Sequence, residues 1–422
     1  MSATATKNKR KVFFENFFSL SVLQFVSNAL PIITIPYLTR TMGLEGFGIY
    51  VFIQALINFL DIFVSYGFRV SATDEIAKNS ENPVEVSRIF WTVIFTKICL
   101  LVCTILLLLI GIVFIPVFSN NSHLIFLGMP LLLGNLLFPV WLFQGLQNMK
   151  FITILHLVSK SFFVVTIFLF VKDSSDIGTA ILLHASGVLI AGFLSLLVAI
   201  REFDLRFYRP GLKGITSQLR NGRDIFFSQL MVSFYTTINI IVLGLFHPGA
   251  IVAAYALGDK VFRLVGSLSS PFNRAIFPIL SAQYTHNKTN YLVIARKSII
   301  ALFLIFTFFG VVVYFLAQWI IFVLAGSDIH ESDSESILKI LAVAIPFFVV
   351  AASSTYHLVT QEKSSLLLKI LVLAAVVNVI LIFPVSFLYK ALGVAYLTVG
   401  MAMAIAVAQT VAMFHVSTKG KG

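Results

Sequence analysis

The chain has 422 residues, of which 59% are hydrophobic and 11% charged, and its mean hydropathy is +0.97. That composition excludes an ordinary soluble domain and describes an integral membrane protein. The formal net charge of +12 is first a topology signal, since Lys and Arg collect in loops that stay in the cytoplasm; no nucleic acid is expected as a partner.

Apolar stretches of about 20 residues recur from end to end, each long enough to cross a ~30 Å hydrocarbon core as a helix. Runs such as LLVCTILLLLIGIVF do not alternate, which excludes a transmembrane barrel. The N-terminus, KNKRKVFFENFF, has basic residues before an apolar run but no small-residue cleavage site, so a removed signal peptide is not expected.

Twelve segments follow in order: 17–38, 48–68, 89–117, 124–146, 151–171, 177–200, 225–246, 251–280, 298–325, 337–359, 366–388 and 391–416. The first contains Pro31 and Pro36, expected bending points, and leaves the membrane at Arg40. The second, ALINFLDIFVSYGFR, carries Asp61 about half-way along, too deep to reach water by snorkelling, so it faces a cavity or a cation, either as a proton carrier or as a structural carboxylate paired between helices. In the third, Lys97 lies roughly nine residues inside, where a stretched side chain either snorkels to the headgroups or lines a pathway, and Cys99 and Cys103 read as core-packing residues, because two thiols make no metal cage. Lys160 sits at a similar depth in the fifth. The connection REFDLRFYRPGLKGITSQLRNGRD, 201–224, divides the segments six and six, with halves 1–210 and 211–422 as expected domains. Segment seven is free of charge. Segment eight holds ALGDKVFRL, in which Asp259 and Arg263 are four apart and share a helical face with Lys260 beside them; Arg274 follows Pro271, and Pro278 is a further bending point. The outside loop GSDIHESDSES, 326–336, reads as solvated and too short for a catalytic domain.

An even number of crossings puts both termini on one side. With that side cytoplasmic, 21 Lys and Arg lie inside against three outside, Arg40, Lys172 and Lys390. No phosphate loop, HExxH, paired CxxC or GxSxG elbow appears, so neither an enzyme nor a cofactor is expected. What remains are ions at membrane depth, the usual marker of a transport pathway: six cations (Lys97, Lys160, Lys260, Arg263, Arg274 and Lys339) against two acids (Asp61 and Asp259). A positive excess favours an anion, and phosphate above all suits arginine forks. Polar but uncharged residues accompany these ions, Gln24, Asn28, Gln54, Asn58, Gln144, Gln229, Asn239 and Asn378, and read either as helix–helix hydrogen bonds or as partners for sugar hydroxyls. An exporter of cationic drugs would call for an acidic cavity instead.

ALPIITIPYLTRTMGLEGFGIY, YGFRVSATDEIAKN, SRIFWTVIFTK and FPVWLFQGLQNMK resemble the N-terminal half of the Wzx-type O-antigen and polysaccharide repeat-unit flippases. These belong to the polysaccharide transporter family of the multidrug/oligosaccharidyl-lipid/polysaccharide exporter superfamily. The resemblance implies an all-α, MATE-like membrane fold of twelve helices in two six-helix lobes around a central lumen. It also implies a substrate of undecaprenyl-pyrophosphate-linked oligosaccharide and alternating access driven by a coupling ion, H+ or Na+. The location implied is the bacterial inner membrane, with an O-antigen polymerase and a chain-length regulator as candidate protein partners. On this expectation Arg40, Lys97, Lys160, Lys260, Arg263 and Arg274 hold substrate, and Asp61 and Asp259 couple the ion.

Overall fold

The computed structural model describes the backbone of residues 2–286, 288–326 and 333–419, and side chains at 30, 33–277, 280–284, 290–326 and 333–415. Among these, every regular element is an α-helix: α1 (Ser2–Ser65), α2 (Phe68–Lys78), α3 (Pro83–Phe114), α4 (Pro116–Asn120), α5 (Ser122–Gly128), α6 (Pro130–Leu137), α7 (Val140–Gly145), α8 (Met149–Phe170), α9 (Ile177–Glu202), α10 (Leu212–Thr236), α11 (Ile238–Phe246), α12 (Gly249–Ser267), α13 (Ser270–His286), α14 (Lys288–Ala325), α15 (Ser334–Thr360) and α16 (Ser364–Lys419). Helices are what a bilayer permits, because backbone groups facing hydrocarbon must be paired within their own segment.

Eight of the described stretches are long and apolar enough to cross a membrane, or nine with the bent pair α10–α11 as one span. Two of the eight, Ile33–Lys78 and Ser364–His415, have 46 and 52 residues, about twice what a ~30 Å core needs. Helical geometry is interrupted inside α1 at Gly43 and inside α16 at Lys390, between the predicted segments in each case. The stretch around α12 is not among the eight because Asp259, Lys260 and Arg263 interrupt its apolar character.

Several expected spans are not continuous. Residues 124–146 form three short helices, with the break after α6 falling at Phe138 and Pro139, where proline lacks an N–H and cannot continue the ladder. Segment seven bends by 47° between Thr236 and Ile238, and segment eight breaks at Leu268 and Ser269, just before Pro271. Pro31 and Pro36, in contrast, do not break α1. Residues 212–224 of the expected connection are helical and open α10. Cys99 and Cys103 are exposed on α3 rather than packed in a core; outward-facing small apolar side chains suit lipid as well as an interior. Most of the 326–336 loop lies outside the described residues.

The chain forms two compact units, residues 1–46 with 53–230, and 47–52 with 231–422. In the first, Phe68, Phe90, Trp141, Leu142 and Phe143 build one core. The N-terminus of α3 is set by Asn82, whose side chain accepts from the Glu85 N–H at 3.2 Å, with Pro83 at the first position. Small residues bring α6 and α9 together: a Cβ on Gly134 would come within 2.6 Å of the Val188 carbonyl carbon, and one on Gly192 within 2.9 Å of the Gly134 carbonyl carbon. Close backbone approach of this kind substitutes for the hydrophobic effect between helices in lipid. Gly192→Val is expected to destabilise the protein by roughly 1–3 kcal/mol through overpacking, seen as a lowered Tm of the purified protein.

Gly43 is a separate case. Its φ of 70° and ψ of 173° lie in a region open essentially to glycine, yet a Cβ there would meet nothing within 4 Å. Gly43→Ala therefore tests backbone strain alone, with an expected cost of about 1–3 kcal/mol in the same thermal measurement. In the second unit, α14, α15 and α16 pack around Val350, Leu358 and Met413, and Gly310 lets α14 approach the Ala342 carbonyl of α15. Tyr291, His357 and Gln361 form a buried chain of hydrogen bonds at 3.1 Å each, and Gln361 also donates to the Met413 carbonyl.

Candidate functional site

In the first unit the polar centre is built from the break after α6. In an unbroken helix the Asn135 carbonyl would accept from residue 139, which is proline and has no N–H. The Leu136 carbonyl would accept from Val140, whose N–H instead goes to Phe138 at 2.9 Å. Lys97, on α3 and only 3% exposed, fills both vacancies: its Nζ donates to the Asn135 carbonyl at 2.7 Å and to the Leu136 carbonyl at 3.3 Å. A cation at a helix C-terminus is also where the macrodipole favours it. Asp61, half-way along its apolar run, lies within Coulombic range of Lys97, with the Asn135 side chain nearby, and accepts a hydrogen bond from the Ser65 hydroxyl at 3.2 Å. An ammonium has three donors, and two of those of Lys97 are committed to carbonyls.

Close to the same break, His156 of α8 stacks on Phe138 with ring centroids 4.7 Å apart and lies within Coulombic range of Lys160 and Arg69. Gln54 and His184 are joined at 3.1 Å between α1 and α9.

The second unit repeats the device. Asp259 is 4% exposed and receives the Nε of Arg263 at 2.6 Å. The Arg263 Nη2 lies 3.5 Å from the carbonyl of Thr236, the last residue of α10, where terminal carbonyls have no helical donor. Lys260 is half-buried beside Asp259, whose Oδ1 is buried without a hydrogen-bond partner among the described residues. Arg263 also borders a cavity of about 240 Å³ whose other lining includes Tyr235, Thr236, Thr355 and Gln409. Asn239 of α11 reaches Thr398 at 3.2 Å and Asn378 at 3.0 Å, and Asn378 donates to the Phe234 carbonyl at 2.8 Å. These two asparagines thus make helix–helix hydrogen bonds.

The structure brings together Asp61 with Lys97, and Asp259 with Lys260 and Arg263. It does not bring Arg40 or Arg274 into either group; both are exposed, on α1 and α13. Lys339 pairs with Glu335 at 2.7 Å in the first turn of α15 and lies over the Tyr314 ring, a helix-end arrangement. Sequence reasoning passed over the carbonyls of Asn135, Leu136 and Thr236, which take the cations, and His156. Pro139 inside an apolar run was the one signal that carbonyls would be orphaned there.

Residues 13–284 match a family model described as polysaccharide biosynthesis protein, which is more than half of the chain. The chain belongs to the polysaccharide biosynthesis protein family. Residues 225–383 of this family member also match the model named MatE. A curated relative, the "Putative O-antigen transporter" of Escherichia coli (strain K12), is 31% identical over 90% of this chain and 91% of its own length. A second of the same name, from Shigella dysenteriae, is 26% identical over 90% of this chain and 94% of its own. In fold, this member of the polysaccharide biosynthesis family resembles the lipid II flippase MurJ in an inward closed conformation, with a TM-score of 0.75 at 14% identity over 94% of this chain and 89% of that one.

Proposed function

We propose that this member of the polysaccharide biosynthesis family is a flippase for lipid-linked polysaccharide. It moves undecaprenyl-pyrophosphate-linked O-antigen repeat units from the inner to the outer leaflet of the bacterial inner membrane. The protein is a transporter, not an enzyme. The observation that carries this reading is the likeness, over nine-tenths of the chain, to relatives named as O-antigen transporters. In the finer picture twelve spans form two six-helix lobes around a central lumen, with halves 1–210 and 211–422 and both termini cytoplasmic. The lobes take up the pyrophosphate and glycan head by alternating access while the prenyl chain stays in lipid.

The chemistry of the embedded ions supports an anionic head group. Arg263 spends its Nε on Asp259 and lines a cavity, so part of its fork remains for a phosphate. Lys97, Lys160 and Lys260 add positive charge at depth, and Arg40 and Arg274 are proposed as exposed contacts on the way in or out. Asp61 and Asp259 are proposed to respond to the coupling ion, H+ or Na+, because each neighbours a cation whose hold it controls. No covalent step is required.

The test is complementation in a cell that lacks its own O-antigen flippase. Restored surface glycan is expected from the native chain, and Asp61→Asn is expected to lose most of it, because Lys97 then has no counter-charge. Full restoration by Asp61→Asn would remove that carboxylate from the mechanism. The match of residues 225–383 to the MatE model favours a second reading, export of drugs or metabolites. Drug resistance conferred without any surface glycan would establish it in place of the first.

A further inference from the structure

Between Leu205 and Arg223 the chain carries five cations, Arg206, Arg209, Lys213, Arg220 and Arg223, and no acid. The segment begins directly after α9, a candidate membrane span ending at Glu202. Its start is fixed. Leu205 is buried in the core of the first unit, and the Arg206 N–H donates to the Ser87 hydroxyl at 3.1 Å. Beyond that anchor the side chains turn outward: Phe207 is 69% exposed, Tyr208 39% and Leu212 81%, interleaved with exposed Arg206, Arg209 and Lys213. Phe207 keeps one edge on the protein, with its ring 5.0 Å from that of Trp91 and 6.4 Å from that of Phe95 on α3.

An isolated exposed Leu or Phe is unremarkable on a protein surface, but large apolar residues alternating with cations a few residues past a span have a specific use. Aromatic rings settle at the headgroup level, and cations near them are drawn to anionic lipid. We propose that residues 206–213 are a docking surface for the anionic phospholipid headgroups of the leaflet in which α9 ends. Phe207, Tyr208 and Leu212 enter the interface, and Arg206, Arg209 and Lys213 bind headgroup phosphates. The occupant follows from continuity with the span, which puts the segment at the membrane surface, and from charge complementarity. Arg223 pairs with Asp224 at 3.2 Å, but Arg206, Arg209 and Lys213 have no ion pair among the described residues, so internal pairing is not the use of those three. Because the segment leads into α10, lipid binding here would hold the connection between the two six-segment halves against the membrane.

The experiment is amide hydrogen exchange on the full-length protein in nanodiscs of phosphatidylcholine alone, compared with nanodiscs containing roughly one-third phosphatidylglycerol. Amides of residues 206–213 are expected to exchange several-fold more slowly with phosphatidylglycerol present, and high salt is expected to remove the difference. The triple variant Arg206→Gln, Arg209→Gln and Lys213→Gln, all at exposed positions, is expected to lose the slowing while α9 keeps its native protection. Phe207→Ser, which keeps every charge, is expected to weaken it. Equal exchange in the two lipids, or an unchanged response in the triple variant, would overturn the proposal. So would the same slowing produced by inorganic pyrophosphate in neutral nanodiscs, since that would assign the cations to a soluble phosphate group. None of these readouts involves transport, so they stand or fall apart from the flippase reading.

Discussion

Lys97→Met is expected to destabilise the protein by about 2–6 kcal/mol, since two carbonyls lose their donor at roughly 1–3 kcal/mol for each unsatisfied group. Three losses combine. Asp61 keeps a buried charge with its neighbouring cation gone, and the carbonyls of Asn135 and Leu136 lose the donor that replaces the N–H groups missing at Pro139 and diverted at Val140. Adding Asp61→Asn should recover the charge part of the loss but not the carbonyl part, which costs roughly 1–3 kcal/mol per unsatisfied group. The measurement is Tm of the purified single and double variants beside surface glycan in the complementation assay. If Lys97→Met abolishes glycan display and leaves Tm at the native value, Lys97 acts on substrate alone and its role at the α6 break is refuted.

Arg263→Gln is expected to abolish transport, and the fall in stability should be about 3–5 kcal/mol because the buried Asp259 loses the guanidinium that hydrogen-bonds it. Here the two effects separate. Asp259→Asn combined with Arg263→Gln removes both charges, so most of the stability should return while transport stays lost if the guanidinium is the group that grips a phosphate. Arg263→Lys keeps the charge but not the fork and should transport poorly. A double variant that regains both Tm and surface glycan would show that the pair is structural and that the anion is held elsewhere.

Both experiments rest on one geometric regularity. Lys97 and Arg263 each reach the carbonyl end of a broken helix, α6 and α10, and each neighbours a carboxylate. Breaking a membrane helix exposes carbonyls that lipid cannot satisfy, and a cation is the natural partner for a helix C-terminus. The same break can present charge to a passing anion, since neither cation uses all its donors.

Much of this was legible in the residues alone. Bilayer thickness sets helix length, so apolar segments stand out with no knowledge of their packing, and the cost of a carboxylate in hydrocarbon marked Asp61 and Asp259 as requiring partners. The pairing of Asp259 with Arg263 was readable too, because four residues is one helical turn. The composition therefore determined an all-helical membrane protein, and the sequence placed charged side chains inside its apolar segments. Only the tertiary structure decided that Asp61 meets Lys97, that Pro139 breaks the fourth segment where Lys97 can cap it, that segment eight divides at Leu268, and that Cys99 and Cys103 face outward. Those outcomes depend on which helices lie side by side, and helix packing in lipid is chosen by close contacts such as Gly134 against Gly192 and by hydrogen bonds between distant parts of the chain, neither of which leaves a local signature in sequence.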